Sequence, residues 1–154
     1  MPPTAEFLAD YPIVIELPVL WGDQDAFGHV NNLRYMGWAE TARVEYLRRI
    51  GLWVPLPPAG IGPILVSVSC DYKRPVTYPD TVRVGARVPR IGNSSLTMEH
   101  RIVSLTLGKI VAEVGSTIVA LDYSRMKSVP VPEPVLRAIA ELEGHGEGRA
   151  ASNP

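Results

Sequence analysis

Residues 21–32 of the chain, WGDQDAFGHVNN, stand directly before a long helical pattern. The stretch concentrates two carboxylates, one imidazole and a pair of adjacent asparagines. Residues 32–50 repeat apolar side chains at three- and four-residue spacing, which predicts a helix that is mostly buried. Asn31 or Asn32 suits its N-cap, and Gly51 suits its C-terminal stop. Because a helix start presents unpaired backbone N–H groups, this polar cluster is the first place to look for function.

The rest of the helix surface is expected to be narrow and polar, with Glu40, Arg43 and Arg48 forming the stripe that meets solvent. After the helix, residues 53–63 carry four prolines and two glycines, which predicts a loop. The hydrophobic period then changes from helical to two.

Five strands are predicted on this alternation, one before the helix and four after it. They cover residues 13–21, 64–72, 82–88, 96–102 and 110–121. Pro18 marks the first strand as an edge or as the site of a bulge. The last four strands are separated by turn signals, so we expect them in hairpin order within an antiparallel sheet. A single sheet on one helix leaves its edge strands unpaired, which predicts pairing with a second copy of the chain.

Composition limits the class of protein. The chain has 154 residues, a formal net charge of −1 and one cysteine. We expect one domain over residues 1–143, with a short helix over 133–143 and a disordered tail over 144–154. Without a strong basic excess, a signal peptide or a long apolar run, we expect no nucleic-acid or membrane partner and a cytoplasmic location.

Several chemistries can be weighed against residues 21–32. A calcium loop would need an oxygen ligand at its fifth position and a glutamate at its twelfth, where this chain has Phe27 and Arg34. A transition-metal site from Asp23, Asp25 and His29 lacks a second histidine or cysteine nearby, so no metal is expected. Cys70 lies on an apolar strand, which favours a packing thiol over a nucleophile.

A carboxylate site at the helix start remains. Asp25 lies a few residues before the first helical turn, and the N–H groups of Asn32 and Leu33 could polarise a carbonyl oxygen. A carboxylate could then attack that carbonyl or activate a water, which suits acyl transfer from an activated ester. The alternative is that Asp23 and Asp25 only cap the helix and complement its dipole.

The same residues resemble the signature of the hotdog-fold acyl-CoA thioesterases, in the hydroxybenzoyl-CoA thioesterase branch. That signature reads Asp-x-Asp-x-x-Gly-His-Val-Asn-Asn-x-x-Tyr, followed by Glu-x-x-Arg. This chain matches it at Asp23, Asp25, Gly28, His29, Val30, Asn31, Asn32, Tyr35, Glu40 and Arg43. Residues 72–76 resemble a second family segment. The resemblance implies an α+β hotdog fold, in which a five-stranded antiparallel sheet wraps around one long buried helix.

It also implies roles at the helix start. Asp25 matches the catalytic carboxylate, acting as nucleophile or general base, and the backbone of Asn32 matches the group that polarises the thioester carbonyl. His29 and Asn31 match positions assigned to the site in related plant thioesterases. For His29 the alternative is a structural imidazole bonded to a loop carbonyl, while Asp23 is expected to be structural.

The resemblance further implies that coenzyme A binds at a dimer interface, as part of the substrate and not as a separate cofactor. The turn at Asn93, Ser94 and Ser95 aligns with a family turn that contacts coenzyme A. This chain lacks the basic run that some relatives carry there, and its nearest basic substitutes are Lys73, Arg74 and Arg90. We expect a homodimer, and a dimer of such dimers.

Three functions follow from these observations. The leading hypothesis is an acyl-CoA thioesterase that releases a free acid and coenzyme A. A non-catalytic acyl-CoA binding protein is the second. The third, a hotdog-fold enoyl hydratase or dehydratase, is disfavoured because its Asp-x-Asn-Pro-x-His signature does not match the spacing of Asp25 and His29.

Overall fold

The computed structural model describes residues 4–53 and 60–144. Short 3₁₀ turns lie at Ala5–Leu8 and Trp21–Asp23. The main elements, in chain order, are β1 Ile13–Pro18, α1 Asn32–Arg49, β2 Ile61–Tyr72, β3 Thr81–Ile91, β4 Ser95–Ser104, β5 Lys109–Asp122, β6 Lys127–Ser128 and α2 Glu133–Glu143. The predicted tail lies outside the described residues, except for Gly144, which caps α2 in the left-handed conformation.

The sheet is antiparallel and runs in the order β1-β3-β4-β5-β2, with the two-residue β6 added beside β5. The predicted hairpin order is correct for β3, β4 and β5 but wrong for β2. That strand pairs with β5 along almost its whole length, from Ile61 opposite Asp122 to Tyr72 opposite Ala112. Because β2 crosses to the far side of the sheet, β1 and β2 form its two edges. The prediction of Pro18 at an edge is confirmed.

Helix α1 packs against the inner face of this curled sheet. Its buried side chains are Tyr35, Trp38, Ala39, Ala42, Arg43, Tyr46 and Leu47. Alternate residues of β3, such as Val82, Val84 and Val88, are fully buried in the same core. A long helix enclosed by one antiparallel sheet is the hotdog arrangement that the signature implied.

Strand β2 begins earlier than predicted. Residues 61–63, assigned above to the loop, already pair with β5, and an edge strand tolerates Pro63 because only one of its sides needs a partner. The register shifts between Leu65 and Ser67, which interrupts the predicted alternation at Val66. Most β2 side chains are exposed, including Leu65, Val66 and Val68 at 43%, 56% and 38%. This edge therefore presents uncovered apolar surface.

The outer face of the sheet is charged. Glu16 pairs with Arg83, Arg87 with Glu99, and Arg101 with Glu113, in each case directly across neighbouring strands. The segment before β1 crosses this face, where the Tyr11 ring lies between the guanidinium groups of Arg87 and Arg101, 4.6 and 5.5 Å from its centroid. Gly85 makes room for that ring, since a Cβ there would come within 2.6 Å of Tyr11 Cγ.

Among the buried polar side chains of the described residues, Arg43 and His100 carry the groups that are most costly to bury. Arg43, predicted on the solvent stripe, is only 7% exposed, and its partner Glu40 lies 3.9 Å away at the surface. His100 is 1% exposed and lies opposite Ala86 of β3. Burial, then the nearby Arg43 charge, lowers the pKa of His100 to about 4. The imidazole is therefore neutral in the folded protein at neutral pH.

This burial predicts an acid-sensitive stability. Between the unfolded pKa of about 6.5 and the folded pKa of about 4, the unfolded chain binds a proton at His100 that the folded chain does not. Stability should therefore fall as pH drops through this window, by about 3 kcal/mol in total from this group. Urea unfolding in chloride-free buffer at pH 7 and pH 4 should show a smaller loss for His100→Leu than for the unsubstituted protein. The exposed control His29→Gln should keep the full loss, and equal losses in all three proteins would contradict the assignment.

Candidate active site

The loop before α1 is docked on the segment that follows β2. The Val30 N–H donates to the Val76 carbonyl at 2.8 Å, and the Tyr78 N–H donates to Gln24 Oε1 at 2.9 Å. The hydroxyl of Tyr35, in the first turn of α1, accepts from the Val76 N–H at 3.1 Å. These bonds join two stretches far apart in sequence into one wall, and they fix the start of α1 against the segment that follows β2.

Asp25 begins a tight turn within this loop. Its N–H donates to the His29 carbonyl at 2.9 Å, and its carbonyl accepts from the Gly28 N–H at 3.0 Å. Gly28 has φ +83°, which explains why glycine occupies that place. The carboxylate Oδ1 accepts from the Phe27 N–H at 2.9 Å, while Oδ2 has no hydrogen bond to any described residue. The turn thus holds the half-buried carboxylate by one oxygen and leaves the other available.

The start of α1 differs in detail from the prediction. Asn31 is the N-cap, and its Oδ1 accepts from the Leu33 N–H at 2.9 Å. The Leu33 N–H is therefore occupied, which corrects the expectation that it helps to polarise a carbonyl. Among the described residues, the Asn32 N–H has no acceptor. One free donor, not two, stands at the positive end of this 18-residue helix.

A groove of about 450 Å³ brings the Asp25 carboxylate together with the start of α1. It is lined by Asp25, Phe27, His29, Val30, Asn32, Tyr35, Tyr72, Lys73, Arg74 and Pro75. We call it the Asp25 groove. The Tyr35 and Tyr72 rings meet edge to face at 5.1 Å, and the Tyr72 hydroxyl donates to the Asn32 carbonyl at 3.0 Å. Five of the ten lining residues are aromatic or aliphatic and five are polar or charged, so the groove combines apolar walls with groups that can bind or react.

Asn31 lies outside this groove. It lines a separate cavity of about 300 Å³ together with Asp23, Gln24 and Arg34. Asp23 is buried and structural in its contacts, since its Oδ2 accepts from the Leu20 N–H at 2.8 Å and its Oδ1 lies 3.5 Å from Arg34 Nε. Of the four residues predicted to be catalytic, Asp25, His29 and Asn32 thus line the Asp25 groove. Asn31 lines the separate cavity.

The role of Asn31 can be separated from catalysis by substitution. Asn31→Ala should cost about 1 kcal/mol of stability through loss of the cap, with only a small change in kcat because its side chain does not face the groove. Asn31→Asp should restore the stability, since aspartate is an equally good N-cap. Chemical denaturation and steady-state kinetics on both variants measure this. A large fall in kcat in the fully stable Asn31→Asp protein would instead place the carboxamide in the reaction.

His29 is exposed and faces the groove. Its imidazole forms no hydrogen bond with a described residue, although its backbone carbonyl holds the Asp25 turn. Within the described residues, the His29 ring therefore does not have the structural role considered as the alternative, in which it would bond to a loop carbonyl. His29 is therefore free to meet a bound ligand.

The predicted coenzyme A contacts fall into two groups. Lys73 and Arg74 line the Asp25 groove, where Lys73 Nζ lies 3.6 Å from Glu113 Oε1 and Arg74 Nη1 donates to the Ile110 carbonyl at 2.8 Å. Arg90 and the turn at Asn93, Ser94 and Ser95 lie at the other end of the sheet. Ser95 and Ile64 both pair with Val119 of β5, one from each side, so the turn lies level with Ile64 of β2. The groove lies level with Tyr72, at the other end of the same strand.

Along β2, Ile64 and Tyr72 are eight residues apart, a separation of roughly 26 Å. One chain therefore does not bring the two groups to a single site.

Five groove residues were not among the predicted site residues, namely Phe27, Val30, Tyr35, Tyr72 and Pro75. Phe27 is 86% exposed at the tip of the Asp25 turn, a notable position for a large apolar ring. Tyr72 was predicted to lie on a strand and to begin the segment, residues 72–76, that resembles the family, but it was given no role in the site. The available signal for Phe27 was its position within the motif. For Tyr72 it was the position directly before Lys73 and Arg74.

Residues 4–53 and 60–144 contain no group of three metal-ligating side chains that could hold an ion. Neither of the two described α-helices is long and apolar enough to cross a bilayer.

The fold and this groove define a hotdog protein with a carboxylate site at the start of its central helix. Residues 19–139 match the family model of the thioesterase-like superfamily, and the chain belongs to that superfamily. The match covers every groove residue.

Thioesterases among the solved structures and the sequence relatives are similar to this chain over most of its length. The PA2801 protein of Pseudomonas aeruginosa, provisionally assigned as a thioesterase, is 35% identical with a TM-score of 0.75, covering 84% of this chain and 99% of that one. A Thermus thermophilus thioesterase solved with coenzyme A and zinc is 30% identical with a TM-score of 0.76, covering 88% of this chain and 96% of that one. The acyl-CoA thioesterase YbgC of Haemophilus influenzae is 26% identical over 127 residues, 81% of this chain and 92% of the relative. These likenesses identify the chain as a thioester hydrolase.

Proposed function

We propose that the protein hydrolyses an acyl-CoA thioester to the free acid and coenzyme A, with Asp25 as the reacting carboxylate. One observation carries the proposal. The Asp25 groove holds a carboxylate oxygen without a hydrogen-bond partner and a helix N-terminal N–H without an acceptor, among the residues described. These are the two groups that thioester hydrolysis requires, one to attack or activate and one to stabilise the developing oxyanion.

In the proposed reaction, the thioester carbonyl oxygen accepts a hydrogen bond from the Asn32 N–H. The dipole of α1 favours the negative charge that forms on this oxygen in the tetrahedral intermediate. Asp25 Oδ2 either takes a proton from an attacking water or attacks the carbonyl carbon itself, forming an anhydride that water then cleaves. In both routes the bond from carbon to sulfur breaks, coenzyme A leaves as the thiol, and the acyl group leaves as the acid.

The Phe27 N–H orients the carboxylate by donating to Oδ1, and this orientation serves both routes. His29 lies in the same groove with a free imidazole, where it could hold the attacking water or the departing thiol. No cofactor is proposed, because coenzyme A enters as part of the substrate.

We further propose that the working unit is a homodimer formed through the β2 edges. The exposed apolar side chains of β2 support this, as does the separation of the predicted coenzyme A contacts within one chain. Antiparallel pairing about a twofold axis near Val68 would place Ile64 of one copy opposite Tyr72 of the other. The turn at residues 93–95 of one chain would then approach the Asp25 groove of the other, where Lys73 and Arg74 lie.

The alternatives differ in their products. An acyl-CoA binding protein would bind the ester without releasing thiol. A hydratase would change the absorbance of an enoyl-CoA and leave the thioester intact.

A panel of short-chain, long-chain and aromatic acyl-CoAs, with and without a thiol-trapping reagent, separates the three functions. We expect free thiol and free acid in equal amounts from at least one member. Tight binding across the panel without thiol release would overturn the thioesterase proposal in favour of the binding protein.

A further inference from the structure

The Tyr72 side chain, at the last residue of β2, lines the Asp25 groove beside the start of α1. Its hydroxyl donates to the Asn32 carbonyl at 3.0 Å, across 40 residues of sequence. Asn32 is also the residue whose N–H is proposed to polarise the thioester carbonyl. The proposed reaction gives Tyr72 no role, although its hydroxyl bonds the residue on which that reaction depends.

Two contacts hold the Tyr72 side chain in place. Its hydroxyl bonds Asn32, and its ring meets the Tyr35 ring edge to face at 5.1 Å. Tyr35 is only 3% exposed, and its hydroxyl accepts from the Val76 N–H at 3.1 Å and donates to the Arg74 carbonyl at 3.3 Å. The ring that supports Tyr72 is therefore anchored to the segment that follows β2. Tyr72 extends this anchorage to the first residue of α1.

The peptide group that joins Asn32 to Leu33 is bonded at both of its polar atoms. Its N–H, which belongs to Leu33, donates to the Asn31 side chain at 2.9 Å, and its carbonyl accepts from Tyr72. A peptide group is planar, so bonds at its two opposite atoms fix its orientation. The Asn32 Cα joins this plane to the one that carries the Asn32 N–H. Fixing the first plane therefore limits the directions in which that N–H can point.

The geometry of the helix does not require the bond from Tyr72. In an α-helix, a carbonyl of the first turn accepts from the N–H four residues later, so Asn32 has a partner within the helix. Tyr72 is 47% exposed, so water could satisfy its hydroxyl equally well. Partial burial raises the pKa of Tyr72, which keeps the hydroxyl protonated and able to donate at neutral pH. The bond is thus a specific contact between β2 and the proposed oxyanion donor.

We propose that Tyr72 is a positioning residue for the oxyanion donor, because its hydroxyl holds the first residue of α1 with the Asn32 N–H available to the Asp25 groove. This inference rests on the proposed function, since it gives Tyr72 a part in the same hydrolysis. Tyr72 itself touches no reacting atom. The negative charge on the carbonyl oxygen develops only in the transition state, so a displaced donor should lower kcat and leave substrate binding unchanged.

Thiol release by Tyr72→Phe tests the proposal, because this substitution removes the hydroxyl and keeps the ring. We expect kcat to fall about 10-fold, with little change in KM, in assays well below the unfolding midpoint. The affinity for a thioether of coenzyme A, which has no carbonyl, should stay the same. Tyr78→Phe is the matched control, since Tyr78 is 45% exposed and does not line the groove. It should keep normal kcat.

The backbone amide of Asn32 gives a second measurement, which does not depend on turnover. Its resonance in a ¹H–¹⁵N spectrum should shift in Tyr72→Phe and stay in place in Tyr78→Phe. An unmoved resonance, or normal kcat in folded Tyr72→Phe from an active enzyme, would overturn the inference and leave the proposed function intact. Weaker binding of the thioether would instead make Tyr72 a substrate-binding residue. If the unsubstituted protein releases no thiol from any acyl-CoA, the proposed function fails, and the catalytic role of Tyr72 fails with it.

Discussion

Asp25→Asn should lower kcat for acyl-CoA hydrolysis by about 10³-fold, the typical contribution of a positioned carboxylate base or nucleophile. The carboxamide keeps an oxygen that can accept from the Phe27 N–H, so the Asp25 turn should persist. What is lost is the second carboxylate oxygen and its negative charge. KM should change little, since the carboxylate is not proposed to hold the coenzyme A portion.

Thiol release by the purified variant measures this, with the unfolding midpoint as a check on folding. Asp10→Asn is the matched control, because Asp10 is an exposed carboxyl that lines a different cleft, near α2. It should keep normal activity. Near-normal kcat in a folded Asp25→Asn protein would remove Asp25 from the mechanism.

Charging the β2 edge should produce a monomer with little activity. Val66→Lys combined with Val68→Lys places two ammonium groups per chain on the surface proposed to pair with its copy. We expect kcat/KM to fall by about 100-fold, because losing the partner's contacts with coenzyme A is worth about 3 kcal/mol.

Sedimentation velocity and steady-state kinetics on the same samples test the dimer. Val14→Lys is the control, since Val14 is an equally exposed apolar residue on β1, the opposite edge of the sheet. It should remain dimeric and active. A double-lysine variant that is monomeric and fully active would show that one chain suffices, and an unsubstituted protein that sediments as a monomer would contradict the dimer itself.

Local sequence signals predicted most of the fold. The boundaries of α1 and α2 follow from periodicity and caps, and the turns before β3, β4 and β5 follow from their proline, glycine and asparagine residues. The position of β2 did not follow, because pairing across the sheet is decided by contacts distant in sequence. Arg43 was misplaced for a related reason. Helical spacing assigns a side chain to one face of the helix. It does not show which of these faces become covered by the sheet and by α2.

The candidate site was predicted in outline. The motif located Asp25, His29 and Asn32 in one place, and the groove contains all three. The predictions for the Leu33 N–H and for Asn31 failed for one reason. Asn31 is the N-cap, so its side chain accepts from the Leu33 N–H and points away from the groove. Sequence alone did not show which of the two asparagines would be the cap. Tyr72 was missed because its contact with Asn32 spans 40 residues. A cytoplasmic location and a dimer of dimers stay predictions.

The arrangement of the thioester in the Asp25 groove is the central claim, and one crystal structure tests it most directly. Asp25→Asn protein, expected to turn over slowly, should be crystallised with an acyl-CoA that the unsubstituted enzyme hydrolyses. The proposal predicts the thioester carbonyl oxygen within hydrogen-bonding distance of the Asn32 N–H, with the carboxamide that replaces the Asp25 carboxylate lying beside the carbonyl carbon. A thioester bound away from the start of α1, with its carbonyl out of reach of Asn32, would contradict it.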